Sequence, residues 1–220
     1  MATLLIPLVG PMQSWGTRSR FDHRDTEREP SKSGVVGLVC AAIGRDRNEP
    51  IDDLRALRMG VRCDREGKLA KDFQTAQDVA TADGKKKNVV SHRSYLTDAA
   101  FLVGLEGDGE LLKRIHDALQ RPRWPLALGR KSYIPSLYPW LVDGLKEEPL
   151  EEALHGYPPV DERVERRNGT IRFVFESDEP TEHIRMDNPV SFALGKREFE
   201  KRFVRYEHKE RSDVFEQDRA

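Results

Sequence analysis

Apolar residues in this chain come in short dense runs separated by long polar stretches. The first run, Leu4-Leu-Ile-Pro-Leu-Val9, predicts a β-strand over about Thr3 to Val9, with Pro7 tolerated at a sheet edge. A polar segment from Gly10 to Pro30 follows, a length at which loops are functional or disordered. Between Pro30 and Gly44 the pattern turns helical, with Ser31 or Ser33 as N-cap and Gly44 as the stop. This segment is apolar on nearly every face, which predicts a helix buried against a sheet. A short helical stretch, Ile51 to Arg58, leads into a strand at Gly60 to Asp64. Asp72 to Asp98 holds little core-forming material, and its centre, Asp83-Gly-Lys-Lys-Lys-Asn88, reads as an exposed hairpin tip. Ala99 to Leu105 reads as a buried strand. Gly109 to Gln120 is an amphipathic helix with Leu111, Leu112, Ile115 and Leu119 on one face. Strand, helix, strand, excursion, strand, helix is a split βαβ pattern, so the fold class is α+β, ferredoxin-like and similar to RNA-recognition modules. Fold alone does not give function.

After about residue 143 the composition turns acidic, with Glu147, Glu148, Glu151, Glu152, Asp161, Glu162 and Glu165. A strand at Thr170 to Glu176 and strands near Val190 and Phe203 predict a small β-rich region, and the last ten residues look frayed. The expected division is 1–143 and 144–220.

Only 37% of the 220 residues are hydrophobic while 34% are charged, above the usual quarter. Much of the chain is therefore surface, extended loop or partner interface. The net charge of −1 implies no global attraction to nucleic acid, which leaves the distribution of charge to decide. Cys40 and Cys63 have no CxxC spacing and make neither a zinc site nor a disulfide framework. The N-terminal apolar run is too short for a signal peptide or membrane span, so a cytoplasmic protein with no membrane partner is expected. No metal or cofactor is expected: the histidines show no HxH or HxxxH pair, and no Walker loop, GxSxG or dinucleotide fingerprint occurs.

Three segments could carry chemistry. Gly10-Pro-Met-Gln-Ser-Trp-Gly16 reads as a turn presenting Gln13, whose amide can pair with a base edge, and Trp15, on which a base can stack. Arg18, Arg20 and Arg24 follow at once. The competing reading is a turn whose Trp packs beneath a loop, since Trp is usually well buried. Secondly, Ala118 to Val142 contains no acidic residue but holds Arg121, Arg123, Arg130 and Lys131 with Trp124, Tyr133, Tyr138 and Trp140. Interleaved cations and rings suit a single-strand groove, and Gly129 permits a tight backbone at a phosphate. Thirdly, Lys85-Lys-Lys87 can clamp a phosphate backbone without sequence preference. Just beyond it, His92 and Tyr95 beside Arg93 are a candidate acid–base pair for RNA cleavage; adjacent polar residues on a strand mostly do nothing catalytic.

Four pieces in this order resemble a known family: Gly10 to Gly16, Pro30-Ser-Lys-Ser-Gly-Val-Val-Gly-Leu38, Arg93-Ser-Tyr-Leu-Thr-Asp-Ala-Ala-Phe101 and Leu128-Gly-Arg-Lys-Ser132. The chain is similar over its first 140 or so residues to the CasD family, subunits of the type I-E CRISPR surveillance complex Cascade. The resemblance implies a ferredoxin-like body with a protruding β-hairpin thumb at about 72–98. It implies a non-catalytic, RNA-binding role, holding the 5′ handle of the crRNA, and contacts with a backbone subunit and a large PAM-reading subunit. Target DNA would be met only indirectly. On that reading Gln13 and Trp15 meet bases, Lys32, Ser33, Arg130 and Lys131 bind phosphates, and Lys85, Lys86, Lys87, His92 and Arg93 serve the thumb, with Arg18 and Arg123 nearby. Lys32 stands where relatives commonly show Arg, which keeps a point charge but loses the bidentate fork. The rivals are a metal-independent repeat endoribonuclease of a related cutting subtype and a protein-interaction module without RNA contact.

Overall fold

The computed structural model describes residues 2–17, 23–82, 84–161 and 169–215. Arg18, Arg20, Asp83, Glu162 and Glu165 lie outside them. The body starts with β1 (Ala2–Gln13), the two-residue β2 (His23–Arg24), α1 (Lys32–Ile43), α2 (Asp52–Arg55) and β3 (Arg58–Arg65). β4 (Lys68–Ala80) and β5 (Lys86–Gly107) form a long hairpin, followed by α3 (Gly109–Gln120) and the two-residue β6 (Leu145–Lys146). α4 (Leu150–Gly156), β7 (Thr170–Ser177), β8 (His183–Ser191), β9 (Glu198–Glu210) and α5 (Arg211–Phe215) complete it.

The strands make one sheet in the order β6-β1-β5-β3-β7-β9-β8. Its first four strands, taken in chain order, lie fourth-first-third-second and antiparallel, which is the ferredoxin-like arrangement expected from the periodicity. β7 continues the sheet by pairing with β3, Gly60 opposite Phe175. β1 is apolar on both faces because both are covered. Leu4, Ile6 and Leu8 enter the core beneath α1 and α3, and Leu5 enters the core beneath α4 and α5. Pro7 fits because, among the described residues, the edge of β1 away from β5 is bonded at Thr3 to Leu5 and at Val9 but not at Pro7, where a missing N–H costs little.

β1 runs past the expected Val9 to Gln13, in register with Leu96 on β5, so half of the anticipated turn is strand. The caps of α1 follow the sequence signals: the Ser31 hydroxyl accepts from the Gly34 N–H, and Gly44 stops the helix at φ +77°, a left-handed conformation that favours glycine. The hairpin is the expected thumb. It begins at Lys68, pairs from Lys68 opposite Thr97 to Ala80 opposite Lys86, and is exposed or half-exposed along both faces. β5 is therefore half thumb and half core strand, and the apolar run Ala99 to Leu105 is only its buried end. Two helices were not anticipated. α4 lies in the acidic stretch and buries Leu150, Ala153 and Leu154. α5 occupies part of the C-terminus expected to fray, with Val214 buried.

Candidate nucleic-acid interface

Several residues expected to meet RNA are consumed by the fold. Gln13 is fully buried. Its Nε2 donates to the carbonyls of Leu8 (3.0 Å) and Ala99 (2.9 Å), and its Oε1 accepts from the Trp15 indole N–H at 3.1 Å. Donors and acceptor are all engaged, so no amide edge is left for a base. Trp15 is buried as well, with its ring so close to Gly34 that a Cβ there would come within 2.8 Å. Its backbone N–H donates to Thr26 Oγ1 at 2.9 Å and its carbonyl accepts from Glu27 at 3.1 Å. Trp15 is thus the anchor of the loop, and the stacking expectation is corrected.

Lys32 is corrected likewise. It is 2% exposed and its Nζ lies 2.8 and 3.0 Å from the two carboxylate oxygens of Glu176. Its backbone N–H donates to Asp187 Oδ2 at 2.8 Å, and Asp187 holds Arg202 at 2.7 and 3.0 Å. Burial lowers the proton affinity of the Lys32 amine, opposed by Glu176. The lysine pins α1 to the C-terminal strands instead of a phosphate. Gly129 also serves the fold: at φ +90°, an added Cβ would sit 1.7 Å from the Ser14 carbonyl oxygen. The close approach there is backbone on backbone.

The remaining candidates face outward. Lys85, Lys86 and Lys87 lie exposed at the thumb tip. At the thumb base, β2 pairs in parallel with β5, setting His23 opposite His92 and Arg24 opposite Arg93. The two imidazoles stack with centroids 5.5 Å apart and planes 19° apart. Arg93 donates to Ser91 Oγ at 3.1 Å, with Asp72 opposite it on β4. Arg130 stitches this base together: Nη1 donates to the Tyr133 hydroxyl (2.8 Å), Nη2 to the carbonyls of Ser94 (2.9 Å) and Arg24 (3.4 Å). Half of its expected role is therefore structural, although it stays partly accessible beside exposed Lys131 and Arg24. Arg123 is exposed, and its stem covers Gly44 at the end of α1. Ser33 is half-exposed. Both thiols are inert, because burial pushes Cys40 up to about 11 and raises Cys63 well above the usual thiol value.

His92 and Tyr95 do not converge. They stand three positions apart on one strand and so point to opposite faces. His92 stacks on His23, while Tyr95 packs against Tyr133 with centroids 6.0 Å apart.

With this geometry in place, the comparison with known proteins is decisive. The sequence model of the family described as CRISPR-associated protein (Cas_Cas5) matches residues 3–205. The chain belongs to that family. It is 31% identical over 178 residues to the CRISPR system Cascade subunit CasD of Escherichia coli (strain K12), covering 71% of this chain and 77% of that one. Among solved structures it is similar to a Cas protein at 48% identity, covering 97% of both chains with a TM-score of 0.78. It is also similar to a chain of a CRISPR RNA-guided surveillance complex, at 33% identity, 94% and 90% coverage and a TM-score of 0.78.

In this Cas_Cas5 family member the thumb has a further feature that sequence reasoning missed. Register places Leu69, Phe73 and Val90 on one face with His92, and all three apolar side chains are exposed, Phe73 by 69%. The available signal was the alternation Leu69-x-Lys71-x-Phe73, which reads as one face of a strand.

Proposed function

We propose that this Cas_Cas5 chain is the subunit of a type I-E CRISPR surveillance complex that holds the 5′ handle of the crRNA and helps assemble the complex. One observation carries the reading: a hairpin solvated on both faces, tipped by Lys85 to Lys87 and rooted in Arg24, Arg93, Arg130 and Lys131. Such a two-faced cationic arm has too little apolar cover to be stable without an external role, and a phosphate backbone supplies the counter-charge. The likeness to a Cascade subunit and to a chain of an RNA-guided complex supports the same conclusion. Residues 1–143 would carry the RNA, and 144–220 would buttress them. The thumb would meet the neighbouring backbone subunit, and the large PAM-reading subunit would dock on the same body. Target DNA would be read by guide pairing. The role is non-catalytic, consistent with His92 and Tyr95 on opposite strand faces. Among the described residues no helix is long and apolar enough to cross a membrane, which fits the cytoplasmic setting proposed.

The test is fluorescence anisotropy with the labelled repeat-derived 5′ end of the guide RNA over a salt series. The wild-type chain should bind, with log Kd rising linearly in log salt. Replacing Lys85, Lys86 and Lys87 by Ala should make that slope shallower by about 0.7 for each phosphate no longer neutralised. An unchanged slope and affinity, or specific cleavage of the RNA during the assay, would overturn the proposal.

A further inference from the structure

A cleft lies between the N-terminal turn, the start of α1 and the C-terminal strands. It has a volume of about 90 Å³ and is lined by Gly16, Thr17, Ser33, Met186, Arg197 and Phe199. Four distant stretches of sequence meet here, so no local motif announces it. The floor is soft and aromatic, from Met186 and Phe199. The Arg197 guanidinium lies 5.3 Å from the Phe199 ring centroid. One turn along α1 from Ser33, Gly37 has open space where a side chain would stand, so the helix surface continues the groove.

The charge here is uncompensated. Neither Arg197 nor Arg47 has a carboxylate within ion-pair distance among the described residues. Burial, and then the nearby Arg47, lower the proton affinity of Arg197. A guanidinium on the cleft wall with no acid paired to it favours an anionic visitor. The carboxylates around the cleft are engaged or averted. Glu27 accepts from Thr17 Oγ1 at 2.7 Å and lies 3.9 Å from Arg185. Glu198 and Glu200 alternate to the face opposite Phe199, with Glu200 held by Arg55 at 2.5 Å. The Ser33 hydroxyl makes no hydrogen bond among the described residues and Thr17 retains acceptor capacity, so polar groups for a base edge are present.

We propose that this cleft is a nucleotide pocket, taking one unstacked nucleotide of a single-stranded RNA with its base against Met186 and Phe199 and its phosphate on Arg197. The pocket rests on the RNA-binding reading above and adds a second contact outside the thumb, built from the N-terminal turn, the start of α1 and the C-terminal strands. Ser33, anticipated as a phosphate ligand, lines this cleft.

The experiment measures anisotropy of the labelled handle RNA with the full-length chain. Its variants are Arg197→Gln, Met186→Ala, and the thumb triple-lysine replacement as a reference. All the changed side chains are solvated, and thermal melts check that the variants fold. The Arg197→Gln variant should bind about 10-fold more weakly, with a salt slope shallower by about 0.7. An abasic scan should find one position at which removing the base weakens the wild type about 10-fold but barely weakens the Met186→Ala protein. If the arginine variant binds like wild type while the thumb variant is weakened, the pocket is wrong and the RNA reading stands. If no abasic position distinguishes Met186→Ala from wild type, the base contact is wrong. If the wild type does not bind the RNA, the functional reading itself falls.

Discussion

Replacing Lys32 by Ala separates a structural lysine from a phosphate-binding one. In the wild type its amine sits 2.8 Å from Glu176, with side chains 2% and 16% exposed. Removing the amine strands a mostly buried carboxylate, and breaking a buried pair from one side costs about 3–5 kcal/mol. Glu176 keeps one donor, the Met59 N–H at 3.1 Å, and retains some access to water, which places the expected loss near the low end, about 3 kcal/mol. In a chain of this size that corresponds to a fall in Tm of roughly 6–12 °C. Urea unfolding should show it as a lower midpoint at unchanged m-value. Lys32→Met together with Glu176→Gln removes both charges and should recover part of the loss, giving a positive coupling energy in a double-mutant cycle. RNA affinity of the folded Lys32→Ala protein should stay within about twofold of wild type. A variant within about 0.5 kcal/mol of wild-type stability that binds the handle RNA markedly more weakly would refute the reasoning and return Lys32 to the RNA surface.

Three further outcomes follow from single contacts. Gly129→Ala combines φ +90° with a Cβ 1.7 Å from the Ser14 carbonyl oxygen; it should cost on the order of 3 kcal/mol or more, and a thermal melt indistinguishable from wild type would contradict the close approach. His155 packs edge-on against Phe173 at 4.6 Å, and burial lowers its proton affinity in the folded state. The unfolded chain then binds the proton more readily, so the contribution is complete above about pH 6.5 and is lost as pH falls through the depressed folded value. Wild-type urea midpoints should therefore fall more steeply below pH 6.5 than those of His155→Gln; parallel curves would remove His155 as the cause. Lastly, His92→Ala and Tyr95→Phe should leave the length of a bound repeat RNA unchanged on a denaturing gel, as in the wild type, and cleavage abolished by either change would restore the acid–base pair.

The parts legible in the sequence are those whose determinants lie close together. Ser31 and Gly44 are local caps and bound α1 correctly; the heptad-like spacing of Leu111, Leu112, Ile115 and Leu119 delivers α3 to the residue. The thumb was legible by default, because a stretch without core-forming residues has nowhere to go but outward. What failed was the assignment of polar residues beside apolar runs. Gln13 is satisfied by Ala99, 86 positions away, and Lys32 by Glu176, 144 away. A polar side chain with an unseen partner looks available, and burial by non-local pairing leaves no periodic trace. α4 shows the converse error: Leu150, Ala153 and Leu154 carry a helical spacing, but the surrounding glutamates obscure it.

The placement of charge in space is equally non-local. Many of the chain's carboxylates are spent inside. Glu29 takes Arg172 at 3.0 Å and Arg185 at 2.6 Å, and Asp187 takes Arg202. Asp64 takes Arg62 at 2.6 Å with both side chains fully buried. Arg62 in turn donates to the carbonyls of Leu154, Tyr157 and Pro158, closing the end of α4 where helical carbonyls lack partners. These pairs tie β7, β8, β9 and α4 to the ferredoxin-like body. The outer cations, Lys68, Lys71 and Lys85 to Lys87 on the thumb and Arg121, Arg123 and Lys131 on the acid-free loop, face water, with Asp72 and Asp78 the carboxylates among them on the thumb strands. Each of the inner pairs takes a cation inward with its acid, so the basic outer arm arises from segregation, with acids such as Glu147, Glu148, Glu179 and Glu182 exposed elsewhere on the body. Salt acts unequally on the two populations: it screens exposed charges over a Debye length of about 10 Å at 0.1 M but reaches buried pairs much less. Affinity for RNA and stability of the fold should therefore part company in one salt titration, the first falling steeply while the second barely moves.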